Sequence, residues 1–177
     1  GRGADLGKYV NLGVKNLLGL EIDNNAIDEF VRRKYSFISR NRPDMDTKFY
    51  IKQLDMNDNY RNNIIKINAS FTDFKKESIP VLVCNLAFHY LMETKENLHN
   101  ILFFIDYFLK KKGKFIFTVF DGEKIFNMLK NKDKWNVVQE KNLKYSIIKN
   151  YKEKVFKDFG QKIKILMPCS SSYYEEV

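Results

Sequence analysis

Gly1-Arg-Gly-Ala-Asp-Leu6, followed after one short segment by Leu17-Leu-Gly-Leu-Glu-Ile22, is the stretch that decides the fold. A G-x-G turn lets the main chain approach a neighbour closely, because glycine carries no Cβ. Residues 5–16 read as a short helix with Asp5 near its N-terminus, and Leu17–Ile22 as a buried strand that ends in an acid. Turn, helix and apolar strand in that order open an α/β layer fold.

The rest of the chain continues the alternation. Asn24 or Asn25 caps a helix in which Ile27, Phe30, Val31 and Lys34 share a face at i, i+3, i+4 and i+7. A loop over 40–46 precedes a strand at Thr47–Gln53, with Asp55 just past it. Residues 57–79 are polar and read as a short helix and a loop. Pro80–Phe88 is a continuous apolar strand, 94–111 an amphipathic helix ending in Lys110-Lys-Lys-Gly113, Lys114–Phe120 a second buried strand and 121–131 a helix. From Trp135 onward the pattern alternates, and Tyr145–Tyr151 and Lys162–Met167 read as antiparallel strands. The expected fold is one α/β domain, a largely parallel sheet flanked by helices with late antiparallel strands. Phe104, Phe108, Phe126, Leu129 and Trp135 read as core, and Phe103 goes with them at helical spacing.

Composition bounds the partners. With 177 residues the chain is long enough for one sizeable core. Thirty-one Lys and Arg against 22 Asp and Glu leave a net charge of +9, which favours an anionic partner, nucleic acid first. A coding bias that enriches Lys, Asn, Ile, Phe and Tyr together accounts for part of that charge. Cys84 and Cys169 give neither a disulfide framework nor a metal spacing, so a reducing compartment is expected. The longest apolar runs, Val81–Phe88 and Ile101–Leu109, fall short of the ~20 residues of a membrane span. The chain opens inside a glycine turn and closes in a strand, so a segment of a longer protein, lacking its first strand, is expected.

In an open parallel sheet, ligands bind at the carboxyl ends of the strands. The residues placed there are the Gly1–Asp5 turn, Glu21, Asp55, the pair His89-Tyr90, and Phe120-Asp121. An acid in the place of Glu21 accepts hydrogen bonds from both hydroxyls of a ribose, or else caps the following helix. Asp55 either meets the exocyclic amine of an adenine or closes a turn. His89 is either a satisfied core residue or the edge of a pocket.

Taken together, Gly1-Arg-Gly-Ala-Asp-Leu6, Leu18-Gly-Leu-Glu-Ile-Asp23 and Cys84-Asn-Leu-Ala-Phe-His-Tyr-Leu-Met-Glu-Thr94 resemble the messenger-RNA cap (guanine-N7) methyltransferases. That family shows a G-x-G-G-D-L turn, an acidic second-strand end and a Q-F-x-x-H-Y-x-F motif. Thr118-Val-Phe-Asp-Gly-Glu-Lys-Ile125 looks most like the large-DNA-virus branch, and Pro168-Cys-Ser-Ser-Ser-Tyr-Tyr-Glu-Glu-Val177 is similar to the family's late strand. The His-Tyr motif is the specific part, since the glycine turn is shared by most class I methyltransferases.

The resemblance implies a Rossmann-like class I fold and S-adenosylmethionine as methyl donor. It implies that Gly1, Gly3, Glu21, Asp55 and Asn85 bind that donor. His89 and Tyr90 would line the guanine pocket, with Glu176 or Glu175 on the guanine's Watson–Crick edge. Arg2, Lys8 and Lys34 would face the cap triphosphate, oriented by Asp5. Ala4 stands where the motif has a second glycine and Asn85 where it has Gln. Lys34 replaces an Arg, and lysine lacks the bidentate fork of arginine.

The implied substrate is RNA with a 5′ guanosine cap. The implied partners are a stimulatory subunit or fused triphosphatase and guanylyltransferase domains, with no membrane. The implied location is the cytoplasm, in a viral factory or virion, for a viral protein and the nucleus for a cellular one. Two other readings compete: a class I methyltransferase with a small-molecule or protein acceptor, and an inactive methyltransferase-fold subunit.

Overall fold

The computed structural model describes residues 1–41, 46–140, 142–167 and 174–176. The chain divides into two compact units, Gly1–Lys75 and Lys76–Val177.

The first unit runs α1 (Leu6–Asn11), β1 (Asn16–Glu21), α2 (Asn24–Asn41), β2 (Lys48–Gln53) and α3 (Tyr60–Ser70). Helix α1 is shorter than the 5–16 expected from sequence, because Gly13 turns left-handed at φ +71° and closes it. The amide of Val14 reaches the carbonyl of Tyr9 at 3.1 Å and that of Gly13 the carbonyl of Val10 at 2.9 Å, the paired bonds of a Schellman stop. The cap of α2 is Asp23 rather than Asn24 or Asn25. Its Oδ1 accepts the Asn25 amide at 2.9 Å, and α2 begins one residue later. Strands β1 and β2 are parallel, from Asn16↔Lys48 to Glu21↔Gln53. Parallel pairing requires a long crossover, and α2 supplies it. Leu6, Phe30 and Phe49 form the core here, with Val10, Leu17, Val31 and Ile51 packed against them. The apolar stripe on α2 is therefore the face turned to the sheet.

The second unit runs β3 (Ile79–Asn85), a 3₁₀ turn (Phe88–Leu91), α4 (Lys95–Phe108), β4 (Leu109–Thr118), α5 (Gly122–Met128), β5 (Lys134–Gln139), β6 (Asn142–Lys149), β7 (Ile163–Leu166) and β8 (Tyr174–Glu176). Strand β3 stops at Asn85, short of the expected Phe88, which instead packs edge-on to Phe115 and tilted against Phe117. Thr94 caps α4 by accepting the Asn97 amide at 3.1 Å. The helix ends at Phe108, not 111: Leu109 already pairs with Ile79, and Lys110–Gly113 bulge out before the ladder resumes at Val81↔Lys114. The lysines expected at a helix end thus lie in a strand bulge, with Lys112 at φ +63°.

Strands β3 and β4 are parallel. Strands β5 to β8 form an antiparallel sheet in chain order. Leu129, Ile163 and Ile165 make its core, with Trp135, Ile147 and Phe120 against them. Phe104, Phe108, Phe126 and Leu129 are buried as expected, whereas Phe103 is exposed. Among the described residues no helix is long and apolar enough to cross a membrane. Residues 42–45 of the expected loop, Pro168–Tyr173 and Val177 of the late motif, and Cys169 lie outside the described residues.

Candidate functional site

In the first unit the glycine turn and the end of β1 meet. The backbone nitrogen of Gly1 contacts Glu21 Oε2, while Glu21 Oε1 accepts the amides of Ile22 at 2.9 Å and Asp23 at 3.0 Å. Burial pushes this carboxyl up, and the amides of Ile22 and Asp23 oppose that. Glu21 does not cap α2, since Asp23 does. Gly3 is required by geometry: its φ is +75°, and a Cβ there would stand 3.0 Å from Phe30 and 3.1 Å from Leu6. The turn packs on the core with no room to spare, while a Cβ at Gly1 would meet nothing within 4 Å.

Asp5 does not cap α1 with its side chain. It pairs instead with Lys8 at 2.7 Å, and its carboxylate raises the Lys8 pKa through that hydrogen bond. Arg2 is exposed. With Arg33 and Arg32, the stronger influences, it holds the Glu29 carboxyl below the usual range. Lys34 is half-buried, its ammonium 3.5 Å from the carbonyl of Phe49 and 5.7 Å from the ring centre of Tyr35.

Asp55 follows β2 and sits in an ordered turn. Its Oδ1 accepts the Asn57 amide at 2.9 Å and its carbonyl the Asp58 amide at 3.2 Å. The neighbouring Leu54 amide donates to the Glu21 carbonyl at 2.9 Å, which ties this turn to the end of β1. The two acids named from sequence thus share one corner of the unit. Glu21 and Asp55 offer acceptors of the kind a ribose diol and an adenine amine need, and the glycine turn offers bare main chain, so this donor and acceptor set fits an adenosyl cofactor.

In the second unit, Asn85 ends β3 and is paired with Thr118. The next residue, Leu86, has φ +50°, a conformation that costs a side-chain-bearing residue about 1–2 kcal/mol. Its amide is held by both the carbonyl of Thr118 at 2.9 Å and the Thr118 hydroxyl at 3.0 Å. That kink turns the chain into the 3₁₀ segment carrying His89 and Tyr90. His89 is 3% exposed, and its ring lies 4.4 Å from Tyr90 and 5.3 Å from Phe120, centroid to centroid. Tyr90 is 39% exposed. The pair is thus one core ring and one surface ring. Asp121, one of the strand-end acids, caps α5 through the Lys124 amide at 3.0 Å.

Glu175 and Glu176 lie on β8, opposite Lys164 and Ile163 respectively. Cys84 is half-buried, and burial pushes its thiol pKa up, which makes it a poor nucleophile. Among the described residues there is no cluster of three metal-ligating side chains. Sequence reading set Phe120 at the same strand ends as His89 and missed two features: the strained Leu86 and a buried Asn63 behind Asp55. The last had a signal, an asparagine inside a helical segment that does not favour one.

A solved structure, an S-adenosylmethionine-dependent methyltransferase from Clostridium acetobutylicum ATCC 824, matches 98% of the chain and 59% of its own length. Its TM-score is 0.56 at 14% identity, which places the fold in that class. The model of the mRNA (guanine-N(7))-methyltransferase domain matches residues 1–168, and the chain belongs to that family of S-adenosylmethionine-dependent enzymes. The mRNA-capping enzyme of African swine fever virus (isolate Pig/Kenya/KEN-50/1950) is 28% identical over 99% of this chain, and that of strain Badajoz 1971 Vero-adapted is 29% identical. A probable mRNA-capping enzyme of Acanthamoeba polyphaga mimivirus is 28% identical over 76% of the chain. The chain spans 21% of the length of the African swine fever virus proteins and 12% of the mimivirus one.

Proposed function

We propose that the chain is the methyl-transfer part of a larger capping enzyme of the large-DNA-virus kind, acting on N7 of the 5′ guanosine of capped RNA. The observation that carries this is the family match from Gly1 to Pro168 together with the His89-Tyr90 pair on its kinked 3₁₀ turn. Similarity to viral capping enzymes across nearly the whole chain, of which it spans about a fifth, supports neighbouring triphosphatase and guanylyltransferase domains as partners. A cytoplasmic viral factory or virion is the location that follows.

S-adenosylmethionine supplies an electrophilic methyl group. Glu21 accepts the ribose hydroxyls and Asp55 the adenine amine, with the Gly1–Gly3 main chain at the amino-acid end; Asn85 is a further donor-binding residue by the resemblance. His89 and Tyr90 bound the guanine ring, and Glu176 or Glu175 meets its N1 and N2 edge. Arg2 and Lys34 hold triphosphate, and Lys8 does so with its ammonium oriented by Asp5. N7 carries a lone pair and no proton, so the reaction needs no general base. The side chains contribute placement and charge: holding the acceptor in line is a proximity effect, and a carboxylate against the guanine stabilises the positive charge that develops on methylation. The same carboxylate disfavours adenine, whose edge presents the wrong donors.

The test is methyl-labelled S-adenosylmethionine with the full-length protein and RNA ending in an unmethylated guanosine cap. Label recovered in 7-methylguanosine, and none with an adenosine-capped control, is the expected result. Label in another nucleotide, or in protein, favours a different acceptor.

A further inference from the structure

Asn63 lies in the middle of α3 with 0% exposure, among the most completely buried side chains of the protein. A carboxamide has no reason to be there unless something uses it, because burying it without hydrogen bonds is costly. Its Nδ2 donates to the carbonyl of Asp55 at 2.8 Å. Its Oδ1, also buried, accepts no hydrogen bond among the described residues. The bond it makes therefore fixes the amide's orientation, since only the nitrogen can face a carbonyl.

The bond also lands on a particular residue. The Asp55 carbonyl takes the Asp58 amide as well, and its carboxylate takes the Asn57 amide, so the turn already has its own closing bonds. Asn63 adds a contact from a rigid helix to the main chain of the one residue whose carboxylate must stand at a fixed place. On the other side of that residue, Leu54 is bonded to the carbonyl of Glu21. Asp55 is thus clamped from β1 through Leu54 and from α3 through Asn63.

We propose that Asn63 is the positioning residue for cofactor recognition, setting the Asp55 carboxylate where it reads the exocyclic amine of the adenine; this rests on the assignment of Asp55 to the adenine. Asn63 touches no ligand and acts through Asp55 alone. It serves selectivity for adenine over bases that lack the amine.

The experiment measures binding of S-adenosylhomocysteine and of its inosine counterpart, in which oxygen replaces the amine, by calorimetry on the full-length protein. Asn63→Leu keeps the side chain's size and removes the donor. Wild type is expected to prefer the adenosine ligand, and Asn63→Leu to lose roughly ten-fold of that preference, the worth of one well-placed hydrogen bond. The inosine ligand is expected to bind Asn63→Leu as it binds wild type. Asp55→Ala is expected to abolish the preference, and Asn63→Leu to have no further effect in that background. If Asn63→Leu does not fold, Asn63→Ser, which leaves space for water at the carbonyl, is read by the same ratio. An unchanged preference in the folded Asn63 variant, or equal weakening of both ligands, overturns the proposal. If Asp55→Ala itself retains the wild-type preference, the adenine assignment has failed instead, and the two failures are told apart.

Discussion

Glu176 stands directly opposite Ile163 on the β7–β8 ladder, while Glu175 stands opposite Lys164. Ile163 is buried in the core of the antiparallel sheet. The register fixes only the backbone; it is the resemblance that puts Glu176, or else Glu175, on the guanine's Watson–Crick edge. Glu176→Ala is expected to lower kcat/KM for capped RNA on the order of 100-fold, the loss typical of one charge-stabilising group. Glu175→Ala should stay within a few-fold of wild type, and S-adenosylhomocysteine should bind both variants normally. Wild-type turnover of both variants in the methyl-transfer assay removes the carboxylate role.

His89 supports Tyr90 from within the core, so the two substitutions should differ in kind. Tyr90→Ala is expected to raise KM for the cap with little change in melting temperature. His89→Ala removes a buried ring packed on Phe120, so it should lower both stability and turnover. The catalytic part is roughly 100-fold, as for a misplaced positioning group. Steady-state kinetics alongside thermal melts separate these, and a His89→Ala enzyme with unchanged kcat contradicts the assignment.

Gly3 allows no side chain. Gly3→Ala forces a methyl to about 3 Å from Phe30 and Leu6 and puts it on a left-handed backbone. The expected cost is about 1–3 kcal/mol of stability, with loss of S-adenosylmethionine binding. Urea unfolding of wild type and Gly3→Ala decides this, and similar midpoints would count against the packing argument.

The order of elements was legible because each apolar run has one period. Leu17–Ile22 and Pro80–Cys84 are continuous apolar runs, the pattern of parallel strands, though burial was overread: Val81 and Val83 of β3 and Ile116 and Phe117 of β4 are exposed; α2 shows its stripe through Phe30 and Val31. Element ends were less legible. Whether lysines 110–112 close a helix or bulge from a strand depends on Leu109 finding Ile79, a long-range pairing that local composition does not encode. For the site, Glu21 and Asp55 were legible as acids after strands, and the Glu21–Leu54 bond that brings them to one corner is tertiary. The His-Tyr motif was visible, but not that one ring is core and the other surface, since burial depends on Phe120 arriving from beyond β4. Asn63 carried only the signal of an asparagine inside a helical segment, since its partner is a main-chain carbonyl, which any residue type presents.

The bulge at Lys110–Gly113 has a consequence for how this region tolerates changes of length. It lies outside the regular ladder, between Ile79↔Leu109 and Val81↔Lys114. Residues added or removed there are taken up as slack, and the pairing from Val81↔Lys114 to Asn85↔Thr118 stays in step. A single residue inserted between Phe115 and Phe117 would instead turn every later side chain of β4 to the opposite face. It would also carry Thr118 away from the Leu86 amide that it holds with two acceptors. Insertions and deletions among functional relatives should therefore gather in the lysine bulge and spare the few residues after it.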